Sequence, residues 1–162
     1  MAGGALADAL RSLDAMRRKE GEALAADIHQ RIGEIRDATE AIRNQIPEAG
    51  RRLREQLLAR VAAAGLTSVA ADDERVIREV VFYADRSDIS EELTRLQSHL
   101  AQYEACRLAA EPVGRKLDFL AQEMNREINT IGSKANDAGI AAEVIRVKTE
   151  LERFREQVQN IE

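Results

Sequence analysis

A chain of 162 residues with 33% charged and 3% aromatic residues, no Trp and only two Pro has the composition of long amphipathic helices, not of a sandwich or barrel. Its formal charge of -5 excludes binding to nucleic acid by overall basicity, so any such role must rest on local patches or on another surface. One Cys and two His exclude an internal disulfide and a Cys/His zinc site, and no apolar run approaches the roughly 20 residues of a membrane span.

The N-terminus, "MAGGALADALRSLDAMRRKEG", interleaves apolar residues with charges, unlike a signal peptide, so the expected compartment is the cytoplasm. Leu6, Leu10, Leu13, Leu24, Ile28, Ile35, Ile42 and Ile46 keep mostly to one helical face. The seven-residue spacing of Ile28, Ile35 and Ile42 suggests a coiled-coil-like seam. Pro47 lacks an N–H and disfavours helix at Ile46, which predicts a stop there. A second helix then carries Leu53, Leu57 and Val61 and ends at Ala64-Gly65, so residues 1–64 read as an antiparallel helical hairpin. Residues 65–74 read as a linker whose acidic end opens a helix through Val76, Ile77, Val80 and Val81.

Residues 75–162 read as a helical bundle. In "DRSDISEEL", Ser87 or Asp88 can cap a helix whose first turn holds Glu91 and Glu92 at the positive dipole end. That helix buries Ile89, Leu93, Leu96, Leu100 and Tyr103. "EPVG" breaks the chain before "GRKLDFLAQEMNREINTIGSK", predicted to bury Leu117, Leu120, Ala121, Met124, Ile128 and Ile131 and to end at Gly132. "SKANDAG" is a loop. Ile140, Val144, Val147, Leu151, Phe154, Val158 and Ile161 then alternate at three and four residues, the cleanest heptad pattern in the chain. No strand alternation is present, and the fold class is all-α.

The polar positions of the Gly114–Lys134 helix fall into stripes. Asp118, Gln122, Asn125 and Asn129 lie on one flank of the core face, and Lys116, Glu123 and Glu127 on the other. Arg115, Phe119 and Arg126 lie opposite the core, which makes Phe119 either a scattered exposed apolar residue or part of a second buried surface. Glu123 and Glu127 are one turn apart and repel unless a cation offsets them; Lys116 could do so, and so could a divalent ion. The preceding helix aligns Asp88, Glu92, Arg95, His99 and Cys106 on one face. His99 can serve as a general acid or base, and the plain alternative is a structural histidine. The arginines from Arg51 to Arg60 form a basic helix face, read as solvated rather than RNA-bound. No phosphate-binding Gly loop, H-E-x-x-H or nucleophile elbow is present.

"VGRKLDFLAQEMNREINTIGSKANDA" and the closing "ELERFREQVQNIE" resemble the C-terminal region of the YicC/YloC family of bacterial endoribonucleases. "DISEELTRLQSHL" and "RRKEGEAL" are similar to further family segments, so the resemblance covers nearly the whole chain. One departure is Gly139, where a helix-forming residue is expected at the start of the last helix. The resemblance implies a metal-dependent endoribonuclease of single-stranded RNA that works as a homo-oligomer, a hexamer in the full-length protein. It also implies an N-terminal domain before the region seen here. The expected partners are RNA and further copies, with neither DNA nor membrane. Within this reading Glu123 and Glu127, with Asp118, would hold a divalent cation, Mg²⁺ or Mn²⁺. Arg115, Lys116, Arg126 and Lys134 would position phosphates, and His99 would transfer a proton. The rival reading is a noncatalytic oligomerisation scaffold or an adaptor in RNA degradation, with the polar block as a subunit interface around Phe119.

Overall fold

A computed structural model describes residues 2–63, 73–109 and 111–161. Every regular element among them is helical: α1 Ala2–Ala63, α2 Glu74–Arg86, α3 Ser90–Arg107, α4 Gly114–Lys134 and α5 Ala138–Val158. The all-α expectation holds. The hairpin does not, because α1 is one helix of 62 residues with Pro47 inside it. A mid-helix proline costs about 3 kcal/mol. Here the helix is held on both sides of Pro47. Ile42 is buried before it, Ile46 and Ala49 pack on the core around it, and Arg52 pairs with Asp137 at 2.7 Å beyond it. Tertiary packing overrides the local break. Most of the expected linker, including Gly65, lies outside the described residues. Its acidic end behaves as predicted, since the Asp73 carboxylate accepts a 2.8 Å hydrogen bond from the Arg75 N–H as α2 begins.

Four helices share one core. Residues Ile28, Ile32, Ile35, Ala38 and Ile42 of α1 meet the heptad positions of α5 from Ile140 to Val158, all buried. Cross-links fix the directions. Arg31 reaches Glu150 at 3.2 Å, Arg146 pairs with Glu34, and Arg52 reaches Asp137, so α1 and α5 are antiparallel. Gly132 of α4 meets Val144 of α5, and Asp118 of α4 meets Arg155 of α5, which makes that pair antiparallel too. Tyr103 of α3 packs edge-on against Phe154 of α5, with ring centroids 6.1 Å apart. Each neighbouring pair buries complementary apolar stripes, as a four-helix bundle requires.

Two glycines explain where sequence expectations shift. Gly132 lies inside α4 and does not end it; a Cβ there would sit 3.0 Å from Val144 Cγ1, so glycine serves close helix contact. At Gly139 a Cβ would overlap the Gln45 amide oxygen, the mobile end of a side chain of α1 that packs beside the α5 terminus. The helix starts there regardless, because the Asp137 carboxylate accepts from the Gly139 and Ile140 N–H groups.

Two apolar surfaces remain uncovered. Leu6, Leu10, Leu13 and Met16 of α1 are exposed, as are Ile77, Val81 and Phe82 of α2. No helix among the described residues is long and apolar enough to cross a membrane.

Candidate metal centre

The α3–α4 contact carries a line of charged pairs laid over the apolar core. The α3 helix begins at Ser90, whose N–H donates to the Asp88 carboxylate at 2.9 Å. Its stripe of Glu92, Arg95 and His99 then faces α4, which runs in the opposite direction. Lys134 Nζ donates to Glu92 at 2.7 Å, Arg95 lies 3.6 Å from Glu127, and His99 meets Glu123 and Glu127. The pairing follows from helix geometry. Residues three and four apart share a face, so two such stripes placed antiparallel meet rung by rung.

At the His99 rung, one ligand atom each from His99, Glu123 and Glu127 lies within 4.8 Å of the other two. Ligands about 2.1 Å from a shared ion stand at most ~4.2 Å apart, so side-chain adjustments of a few tenths of an ångström would close the set. Glu127 is buried at 3% exposure although it bears a carboxylate, and Glu123 and His99 are half-buried. Burying such a charge is costly without a cation. His99 Nδ1 is itself buried and has no hydrogen-bond partner among the described residues. A buried ring nitrogen without a partner beside two carboxylates fits a site that takes a cation.

The α4 core face buries every expected apolar residue from Leu117 to Ile131 and adds Glu127, expected on a polar flank, and Phe119 is exposed opposite it. The other site residues spread further. Asp118 is not brought to the cluster; it accepts from Gln122 at 2.8 Å and lies 3.7 Å from Arg155. Lys116 does not offset the glutamates but lies 3.8 Å from Glu111, and Arg95 takes that place. Arg115 and Arg126 are exposed on the outer face of α4.

Lys134 is engaged. Besides Glu92 it donates to the Asp88 backbone oxygen at 3.2 Å, and its hydrogen bond to Glu92 raises its pKa. Burial pushes the Glu92 carboxyl up, but the Lys134 ammonium, a backbone hydrogen bond and the Arg95 charge together outweigh it, and the carboxyl lies below its ordinary value.

The sequence stripes held Glu123 with Glu127 on α4 and Arg95 with His99 on α3, but not their meeting. The signal was present: Glu92, Arg95 and His99 read forward are charge-complementary to Lys134, Glu127 and Glu123 read backward.

A family model described as "Endoribonuclease YicC-like, C-terminal" matches residues 42–162. A probable endoribonuclease YicC of Clostridioides difficile (strain 630) is 43% identical over 158 residues, which are 98% of this chain and 54% of that protein. A probable endoribonuclease YicC of Haemophilus influenzae is 42% identical over 155 residues, 96% of this chain and 53% of that protein. The chain thus spans about half the length of the curated relatives it matches.

Proposed function

The chain belongs to the YicC-like endoribonuclease C-terminal family, and from that premise we propose that it is the helical part of a metal-dependent enzyme cutting single-stranded RNA. The observation that carries this reading is the His99–Glu123–Glu127 cluster with its buried, unpartnered Nδ1. Two carboxylates and an imidazole favour Mn²⁺ over Mg²⁺, because Mg²⁺ seldom takes nitrogen ligands. A cation held there supplies Lewis-acid activation of water and offsets charge on the phosphate.

The residues divide the remaining work. Glu123 and Glu127 hold the cation and fix its place on one helical turn. His99, approached from sequence as a proton carrier, serves here as the third ligand. The core beneath, Leu96 and Met124 among it, keeps both helices in register. Arg115 and Arg126 present exposed guanidinium groups on the outer face of α4, where bidentate contact to phosphate is open. The exposed apolar faces of α1 and α2 support a homo-oligomer as the working form.

A second reading rests on the Glu92–Lys134 and Arg95–Glu127 pairs, which also suit a purely structural clamp in a noncatalytic scaffold. Glu123→Gln separates the two, because Gln keeps shape and helix propensity. The metal reading expects Mn²⁺-dependent cleavage of a single-stranded RNA oligonucleotide by the purified protein. In the variant that cleavage is lost while the melting temperature holds. Undiminished cleavage by Glu123→Gln overturns the metal reading.

A further inference from the structure

The charge that faces the buried Glu127 is the guanidinium of Arg95. It sits 3.6 Å from Glu127 Oε1 and is held on its other side by the Glu91 carboxylate one turn earlier on α3. Arg95 is half exposed, while the Glu127 side chain is 4% exposed. Glu127 also belongs to the triad with His99 and Glu123. Arg95 and a divalent cation at the triad therefore draw on the same carboxylate. They are also like charges a few ångströms apart, and each weakens the hold of the other.

Resting on the metal reading, we propose that Arg95 is an exchangeable counter-charge that holds Glu127 until a divalent cation displaces it, and then binds an RNA phosphate. The geometry gives the guanidinium somewhere to go. Glu91 is exposed and lies on the solvent side of α3, so an Arg95 that leaves Glu127 stays tethered at the rim of the site. Its planar donors then face solvent, where they match the oxygens of a phosphate bidentately. Metal and RNA become linked through one side chain. A metal tightens RNA binding by releasing Arg95, and RNA tightens metal binding by occupying it, by the same factor. Unlike a fixed salt bridge, an exchangeable one makes opposite predictions for metal and RNA.

The test is calorimetric titration of Mn²⁺ into this chain, with anisotropy of a labelled, nuclease-resistant single-stranded RNA (2′-O-methyl, phosphorothioate) with and without Mn²⁺. Arg95→Gln should bind Mn²⁺ about tenfold more tightly than wild type, the scale set by removing one charge a few ångströms from a divalent ion. The same variant should lose most of the gain in RNA affinity that Mn²⁺ gives the wild type. Arg95→Lys, which keeps the charge but not the fork, should show near-wild-type Mn²⁺ affinity and an intermediate RNA gain. No Mn²⁺ binding by the wild type overturns the metal reading and this inference with it. Mn²⁺ binding by the wild type that Arg95→Gln does not tighten overturns the counter-charge alone. Tightened metal binding with an undiminished RNA gain overturns the phosphate role.

Discussion

Glu92 and Asp137 are screened from water and paired with Lys134 and Arg52, and that arrangement shapes how the protein responds to acid. Burial pushes the Glu92 and Asp137 carboxyls up. Lys134 with a backbone hydrogen bond and Arg95 outweighs it at Glu92, and the Ile140 and Gly139 N–H groups with Arg52 outweigh it at Asp137, so both lie below their ordinary values. Glu104 is lowered by its hydrogen bonds to Arg36 and Arg107. A carboxyl with a lowered folded pKa binds its proton more weakly in the native state. Its contribution is therefore complete above the unfolded pKa of about 4 and is lost as pH falls through the folded value. The melting temperature should hold from neutral pH to about 5 and drop below about 4. Glu92→Gln should lower the melting temperature at pH 7, because the buried Glu92 position loses the charge that Lys134 pairs with at 2.7 Å. The same variant should lose less on acidification than the wild type does. Scanning calorimetry at pH 7 and pH 3.5 reads both effects, and an equal acid drop in the two proteins would remove Glu92 from the explanation. At this scale the sequence exposes composition and spacing within one helix, such as Glu123 with Glu127. It does not expose the partner across the seam, because which rung of α3 meets which rung of α4 is decided by how Leu96, Leu100, Leu117 and Met124 pack.

Among the elements, α3, α4 and α5 were legible because their apolar positions recur at three and four residues, and α5 also starts on a polar cap, Asp137. Gly132 and Pro47 misled for one reason. Both are read as helix breakers from intrinsic preference, and both sit where neighbouring helices hold the backbone helical. The two differ in what they provide. Gly132 permits the approach of Val144, whereas Pro47 removes a donor that the Arg43 carbonyl would otherwise use. Substituting Pro47 by Ala should restore that hydrogen bond within an unbroken helix and stabilise the protein by about 1–3 kcal/mol. Thermal melting checks it. A rise in melting temperature with unchanged far-ultraviolet ellipticity per residue supports the continuous α1, while a fall would mean that Pro47 marks a required turn.

At the scale of the molecule, α1 is far longer than the bundle it serves. Its 62 residues span roughly 90 Å at 1.5 Å per residue, and among its described side chains the buried positions run from Ile28 to Ile42. Leu6, Leu10 and Leu13 fall on the same face as Leu24, Ile28, Ile35 and Ile42, one stripe that α5 covers only in part. The α5 helix ends at Val158, and beyond it the stripe continues exposed: Leu6 63%, Leu10 57% and Leu13 51%. A helix that keeps an apolar seam past its intramolecular partner has the pattern of a coiled-coil strand. Pairing with the same segment of another copy would bury these leucines at about 1 kcal/mol or more each, so several together suffice for association in the micromolar range. The expected result is an oligomer by sedimentation velocity at tens of micromolar, the range in which weak interfaces of this kind saturate. Leu10→Glu with Leu13→Glu should yield a monomer whose helical content is unchanged, because these side chains lie outside the bundle core. If the wild type is already a monomer at that concentration, the stripe does not bring copies of this chain together. If the double variant assembles as the wild type does, the exposed face of α2, with Ile77, Val81 and Phe82, is the next surface to carry the contact.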